Sequence, residues 1–215
     1  MPDLTDIEAK QKELADLKQR VRQLESELSE QPSGEWPPPG FYGDYYAYSG
    51  AVLGSVAAMV SLLANVIGAP VAGKSALELI RIYLTFPMGE KALQLSGDDG
   101  GLTLMLGCCL YLMTGMILGI PIFWLLIRIC GTSAALVKRL VVASILAIGL
   151  WLISYYGILS WLQPRLFGGN WITDPSILPP WVAAGTHLLF GWVIAILAPW
   201  GMFQPYRRPT SATSA

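Results

Sequence analysis

Apolar residues recur in two different patterns along this chain. Early on they are spaced by heptads, with Ile7, Leu14, Val21 and Leu28 at a, Leu17 and Leu24 at d, and Lys10 in the first d position. Later they run together almost unbroken over residues 47–69, 102–129, 140–162 and 181–203. A stripe on one face of a polar helix implies water on the other faces, whereas a helix apolar all round implies lipid. Each of the four long runs reaches the ~20 residues that cross ~30 Å of hydrocarbon. The pattern predicts an all-α polytopic membrane protein with four transmembrane helices, preceded by an N-terminal parallel coiled-coil helix over residues 1–30.

The flanking charges fit the heptad register. Glu13 at g faces Lys18 at e of a parallel partner, and Arg20 at g faces Glu25 at e, both attractive pairings. One such helix has a single apolar stripe to bury and needs a partner to bury it, so Ile7, Leu14, Leu17, Val21, Leu24 and Leu28 are the expected oligomerisation residues. A stiff, proline-rich and aromatic linker is expected over 31–46, from Pro32 through Pro37, Pro38 and Pro39 to Tyr45 and Tyr46. Prolines have no amide proton to continue a helix, and aromatic rings favour the headgroup level. Between the first two spans, Leu77, Ile80 and Leu84 alternate with Lys74, Glu78 and Arg81. That spacing predicts an amphipathic outer helix over 74–86 ended by Pro87, lying at the interface or on the tops of its neighbours. The second outer connection carries Trp171, Ile172, Ile177 and Leu178 and is expected to pack rather than face water. A disordered tail is expected over 204–215.

Composition supports two solvents. Of 215 residues 53% are hydrophobic and 13% charged, and nine of the fifteen acidic residues precede Trp36. Basic residues set the orientation: the N-tail, Arg128, Lys138, Arg139, Arg207 and Arg208 lie on one side, against Lys74, Arg81, Lys91 and Arg165 on the other. The positive-inside rule then places both termini in the cytoplasm of a multi-pass protein of the inner (plasma) membrane. The opening MPDLTDIEAK lacks a basic segment followed by an apolar one, so the first span is expected to act as the insertion signal. An acidic N-tail repels phosphate, and no nucleic-acid partner is expected.

Candidate chemistry inside the spans is sparse. Gly50 and Gly54 form a G-x-x-x-G, and Gly107, Tyr111, Gly115 and Gly119 recur every four residues, which is the spacing that lets helix backbones approach. These glycines serve either the packing of this bundle or the docking of another subunit. His187 is the one histidine, and an ionisable residue within a span is a functional candidate. Its simplest role is a hydrogen bond to a nearby carbonyl; its sharper role is contact with quinone or haem, near Trp181, Phe190 and Trp192. Cys108, Cys109 and Cys130 show no metal-binding spacing. No carboxylate or base-plus-nucleophile pair lies in the spans, so no enzyme is expected.

The reading that follows is a non-catalytic accessory or scaffold subunit of a larger membrane complex, with a respiratory complex as one host. It would contact lipid, itself and other membrane subunits, and carry no cofactor. The alternative is a membrane redox protein binding quinone or haem at His187. A homo-oligomeric pore is the third.

Overall fold

A computed structural model of the chain describes residues 4–30, 41–71, 73–95 and 97–204, with side chains over 10–27, 41–71, 73–95 and 101–204. The described residues are helical without strands. Two compact units divide the chain, Met1–Gly40 with Pro205–Ala215 and Phe41–Gln204. The expected linker over 31–40, the tail over 205–215 and the side chains of Ile7 and Leu28 lie outside the described residues.

In the first unit, α1 runs Leu4–Glu30. Leu14, Leu17, Val21 and Leu24 form its apolar stripe and are 53%, 56%, 54% and 47% exposed in the single chain. Along the polar side, Gln23 donates to Glu27 at 3.2 Å, one helical turn on.

The second unit holds four helices long and apolar enough to cross a membrane: Gly43–Val71, Gly101–Cys130, Leu136–Phe167 and Pro180–Gly201. The first is α2 (Gly43–Val71), the second belongs to α4 (Gly97–Cys130), and α7 (Pro180–Leu197) with a short 3₁₀ turn makes the fourth. The third is composite: α5 (Leu136–Leu152), a π-helical segment Ile153–Leu159, and α6 (Ser160–Phe167). These helices start earlier than the apolar runs suggest, because polar first turns still support a helix. Asp44 sits in the first turn of α2, where a negative charge opposes the positive helix end. The paired acids 98–99 are likewise a helix-start signal, and α4 begins at Gly97.

α2 and α4 meet backbone to backbone. A Cβ added at Gly119 would lie 2.3 Å from the Gly50 carbonyl oxygen, and one at Gly54 would lie 2.4 Å from that of Gly115. Gly115 in turn faces the Ala58 methyl. Where the chain enters the bundle, Phe123, Leu126, Ile194 and Ala195 fill the core, and Phe41 packs on Trp124 beneath the Arg128 guanidinium.

The far end carries α3 (Glu78–Met88). It starts later than residue 74, because Gly73 at φ +70° and the Lys74 amide bonding to the Ala69 carbonyl (2.9 Å) are spent closing α2. It also continues through Pro87 to Met88 before Gly89 turns at positive φ. Ile80 and Leu84 press into the space left by Gly107, where an added Cβ would meet either side chain at 2.8 Å. Ile82 packs the other way, with Tyr155, Ile172 and Leu178. Gln163, fully buried, ties this end together: its amide donates to Thr85 Oγ1 (3.0 Å) and its carbonyl oxygen accepts the Ile172 amide (3.0 Å). In the same connection, the Ser176 hydroxyl and amide hold the Asp174 carboxyl below the ordinary carboxylate range.

Gly119→Ala is expected to destabilise the protein by about 1–3 kcal/mol through overpacking. Gly149→Ala, with nothing within 4 Å of the added methyl, should be neutral or stabilising by roughly 0.5–1 kcal/mol. Thermal unfolding of both variants in one detergent checks the pair, and equal shifts would show that the α2–α4 approach is not limiting. By the same assay, Gln163→Leu should cost about 1–3 kcal/mol, since the Ile172 amide loses its acceptor.

Candidate functional site

Beyond the last glycine contact, α2 and α4 carry polar side chains toward one another. The Ser61 hydroxyl donates to the Ala58 carbonyl at 3.0 Å. Its proton is therefore committed, and the Tyr111 hydroxyl is the donor in the 3.1 Å contact with Ser61 Oγ. Thr114 is arranged in the same way: its hydroxyl donates to the Leu110 carbonyl (3.0 Å), and Tyr83 of α3 donates to Thr114 Oγ1. The two tyrosine rings meet edge to face at 5.5 Å.

A second bridge joins α2 to α7. The Asn65 amide donates to the Ser61 carbonyl at 2.8 Å and to Thr186 Oγ1 at 3.0 Å. The Thr186 proton goes to the Val182 carbonyl at 2.9 Å. One residue on, His187 Nδ1 lies 2.9 Å from the Ala183 carbonyl oxygen. A carbonyl only accepts, so Nδ1 carries the proton and, in the uncharged ring, Nε2 keeps its lone pair.

Ser61, Tyr83, Tyr111, Thr114, Thr186 and His187 line a cavity of about 220 Å³, with Ser154 and Ile158 of the π segment and with Phe190. The rarity of π-helices, and their frequent place at functional sites, make this wall notable. The wider π turn spans Ile153–Leu159, the stretch that contributes Ser154. A larger groove of about 520 Å³ adjoins, lined mostly by apolar residues including Leu79, Val182 and Leu189, with Lys74 and Glu78 in its wall. Thr186 belongs to the walls of both spaces.

The residues singled out by sequence are distributed over several places. His187 and Phe190 line the small cavity, Trp181 lines the groove, and Trp192 turns away to donate to Ser144 at 2.8 Å. Gly115 borders the cavity, Gly50, Gly54 and Gly119 form the seam, and Gly107 seats α3. Cys130 is buried, Cys109 exposed and Cys108 intermediate; among the described residues no three His, Cys, Asp or Glu side chains come together as a metal site. Sequence reasoning missed Ser61, Tyr83, Tyr111 and Thr186 as members of one site. Their signal was the three- and four-residue spacing of polar groups within apolar helices, as in Ser61 with Asn65 and Tyr111 with Thr114.

The chain matches no protein-family model, no curated protein and no solved structure. Replacing Asn65 by Leu removes the amide's hydrogen bond to Thr186 of α7, and the expected loss is roughly 0.6–1.7 kcal/mol, the range for interhelical hydrogen bonds in membranes. Calorimetric unfolding in detergent measures it; an unchanged midpoint would remove Asn65 from the account of how α7 is held.

Proposed function

We propose that this chain is a non-catalytic, self-associating scaffold of the inner membrane, an accessory subunit whose four spans dock in a larger membrane complex. The observation that carries this reading is the stripe of Leu14, Leu17, Val21 and Leu24, about half exposed in a helix whose other faces are polar. Apolar area on a helix in water is a driving force for association. The g and e charges favour a parallel in-register pairing, and Val21 at a with Leu17 and Leu24 at d suits a dimer. The coiled coil sets stoichiometry, and the embedded helices supply the docking surface. Both termini lie in the cytoplasm, by the excess of basic residues on that side. A respiratory complex is the host of this kind that we favour.

A second reading is favoured by one specific observation, the cavity beside His187: the embedded unit also holds a small lipophilic molecule of the quinone class. The chain's single histidine gives haem one axial nitrogen per copy. The cavity, at about 220 Å³, is also smaller than the ~300–1,000 Å³ of ordinary ligand sites, which suits one ring better than a macrocycle.

Gentle solubilisation of native membranes, followed by native mass spectrometry of the tagged chain, tests the scaffold reading. A complex containing this chain in multiple copies with stoichiometric foreign subunits is expected. A pure homo-oligomer would overturn the accessory role and keep self-association. In the isolated protein, Leu17→Asp with Leu24→Asp should convert the oligomer to monomer while leaving helical content unchanged; mass measured by light scattering, with circular dichroism alongside, decides this.

A further inference from the structure

The cavity beside His187 is not neutral in its hydrogen-bonding demand. Each protein proton around it already has an acceptor. Ser61 and Thr114 donate to carbonyls of their own helices, at 3.0 Å each, and Ser154 does the same to Leu150 at 2.8 Å. Tyr111 and Tyr83 then donate to the oxygens of Ser61 and Thr114, and His187 Nδ1 donates to Ala183. What is left on the side chains that line the cavity is a set of lone pairs: on the two phenol oxygens, on Ser154 Oγ and on His187 Nε2.

From this balance we infer that the cavity selects a hydrogen-bond donor, and that its ligand is a phenol or hydroquinone ring on an apolar tail taken from the membrane. The inference rests on the second reading above and deepens it by fixing which form of such a ring is held. A quinone offers only carbonyl oxygens, which would meet lone pairs without a proton between them. A hydroquinone offers a hydroxyl proton to His187 Nε2 or to Ser154 Oγ. No acidic side chain lines the cavity, so a cationic donor gains no counter-charge there. Its volume of about 220 Å³ and its aromatic wall of Tyr83, Tyr111 and Phe190 suit a single flat ring. The apolar groove sharing Thr186 is the place for the tail. Binding needs no redox step, and none is invoked.

The test is a pair of probes that differ by one proton donor. The full-length protein in lipid nanodiscs is titrated by calorimetry with para-nonylphenol and with its methyl ether, and empty nanodiscs are subtracted for partitioning. The phenol should bind saturably and roughly fivefold to tenfold tighter than the ether, the worth of one hydrogen bond made against one acceptor left unsatisfied. This preference should narrow in His187→Phe, or in Ser154→Ala should the first variant not fold. Saturable binding of the ether as tight as that of the phenol overturns donor selection and leaves the ligand-binding reading standing. Absence of saturable binding by either probe overturns both. A phenol preference unchanged in both variants assigns the donor preference to another site and overturns the inference for this cavity.

Discussion

The contact on which the embedded unit depends is the approach of α2 to α4 without side chains between them. Gly50 and Gly54 meet Gly119 and Gly115 at distances that an added methyl could not tolerate. In lipid the hydrophobic effect offers no reward for bringing two apolar helices together, so close packing and hydrogen bonds must supply it. One row of α4 then does three jobs in succession. Gly119 and Gly115 admit the backbone of α2, Tyr111 four residues earlier bonds to Ser61, and Gly107 four earlier again receives Ile80 and Leu84 of α3. Residues four apart share a face, so a single stripe fixes the seam, the polar site and the position of the far-end helix.

The cavity follows from where that stripe changes character. Glycines hold the helices close up to Ala58 and Gly115; beyond them Tyr111 and Tyr83 are too large for the same separation. The third span meets this widening with a π turn, which alters the angular spacing of its side chains and brings Ser154 and Ile158 into the wall. Polar groups in a low-dielectric setting are costly unless satisfied. Hydroxyls at Ser61, Thr114, Ser154 and Thr186 resolve this by donating one turn back along their own helices. That local solution has a consequence for recognition, because it spends the protons and leaves the lone pairs.

Four helices long and apolar enough to cross a membrane were legible in the sequence, because apolar runs of that length match the thickness of a bilayer's hydrocarbon. Helix ends were less so: polar first turns at Asp44 and at residues 98–99 read as linker or turn, and α2 closed through residues that looked like the start of α3. The glycine spacing was visible, but whether Gly107 faced a neighbour of this chain or another subunit depends on the path of α3, which only the tertiary structure settles. The site was half legible. His187 stood out by type, whereas Tyr83 and Tyr111 looked like ordinary aromatics, since nothing local records that residues 31 apart, Tyr83 and Thr114, come into contact. The π segment had no sequence signal at all.

Exposed apolar surface carries opposite meanings in the two units. The third span is the least enclosed, with 11% of its most apolar window buried against 33% for each of the others, and Val137, Val141 and Ile145 point outward. In a bilayer acyl chains solvate such a face, so its exposure alone does not call for a partner. The helix α1 is far less apolar as a whole, and its stripe is bordered by Glu13, Lys18, Arg20 and Glu25, charges that belong in water. There the same kind of exposure has no solvent to satisfy it. The proposed self-association therefore rests on the short polar helix, and the surface that the long apolar ones expose adds nothing to it.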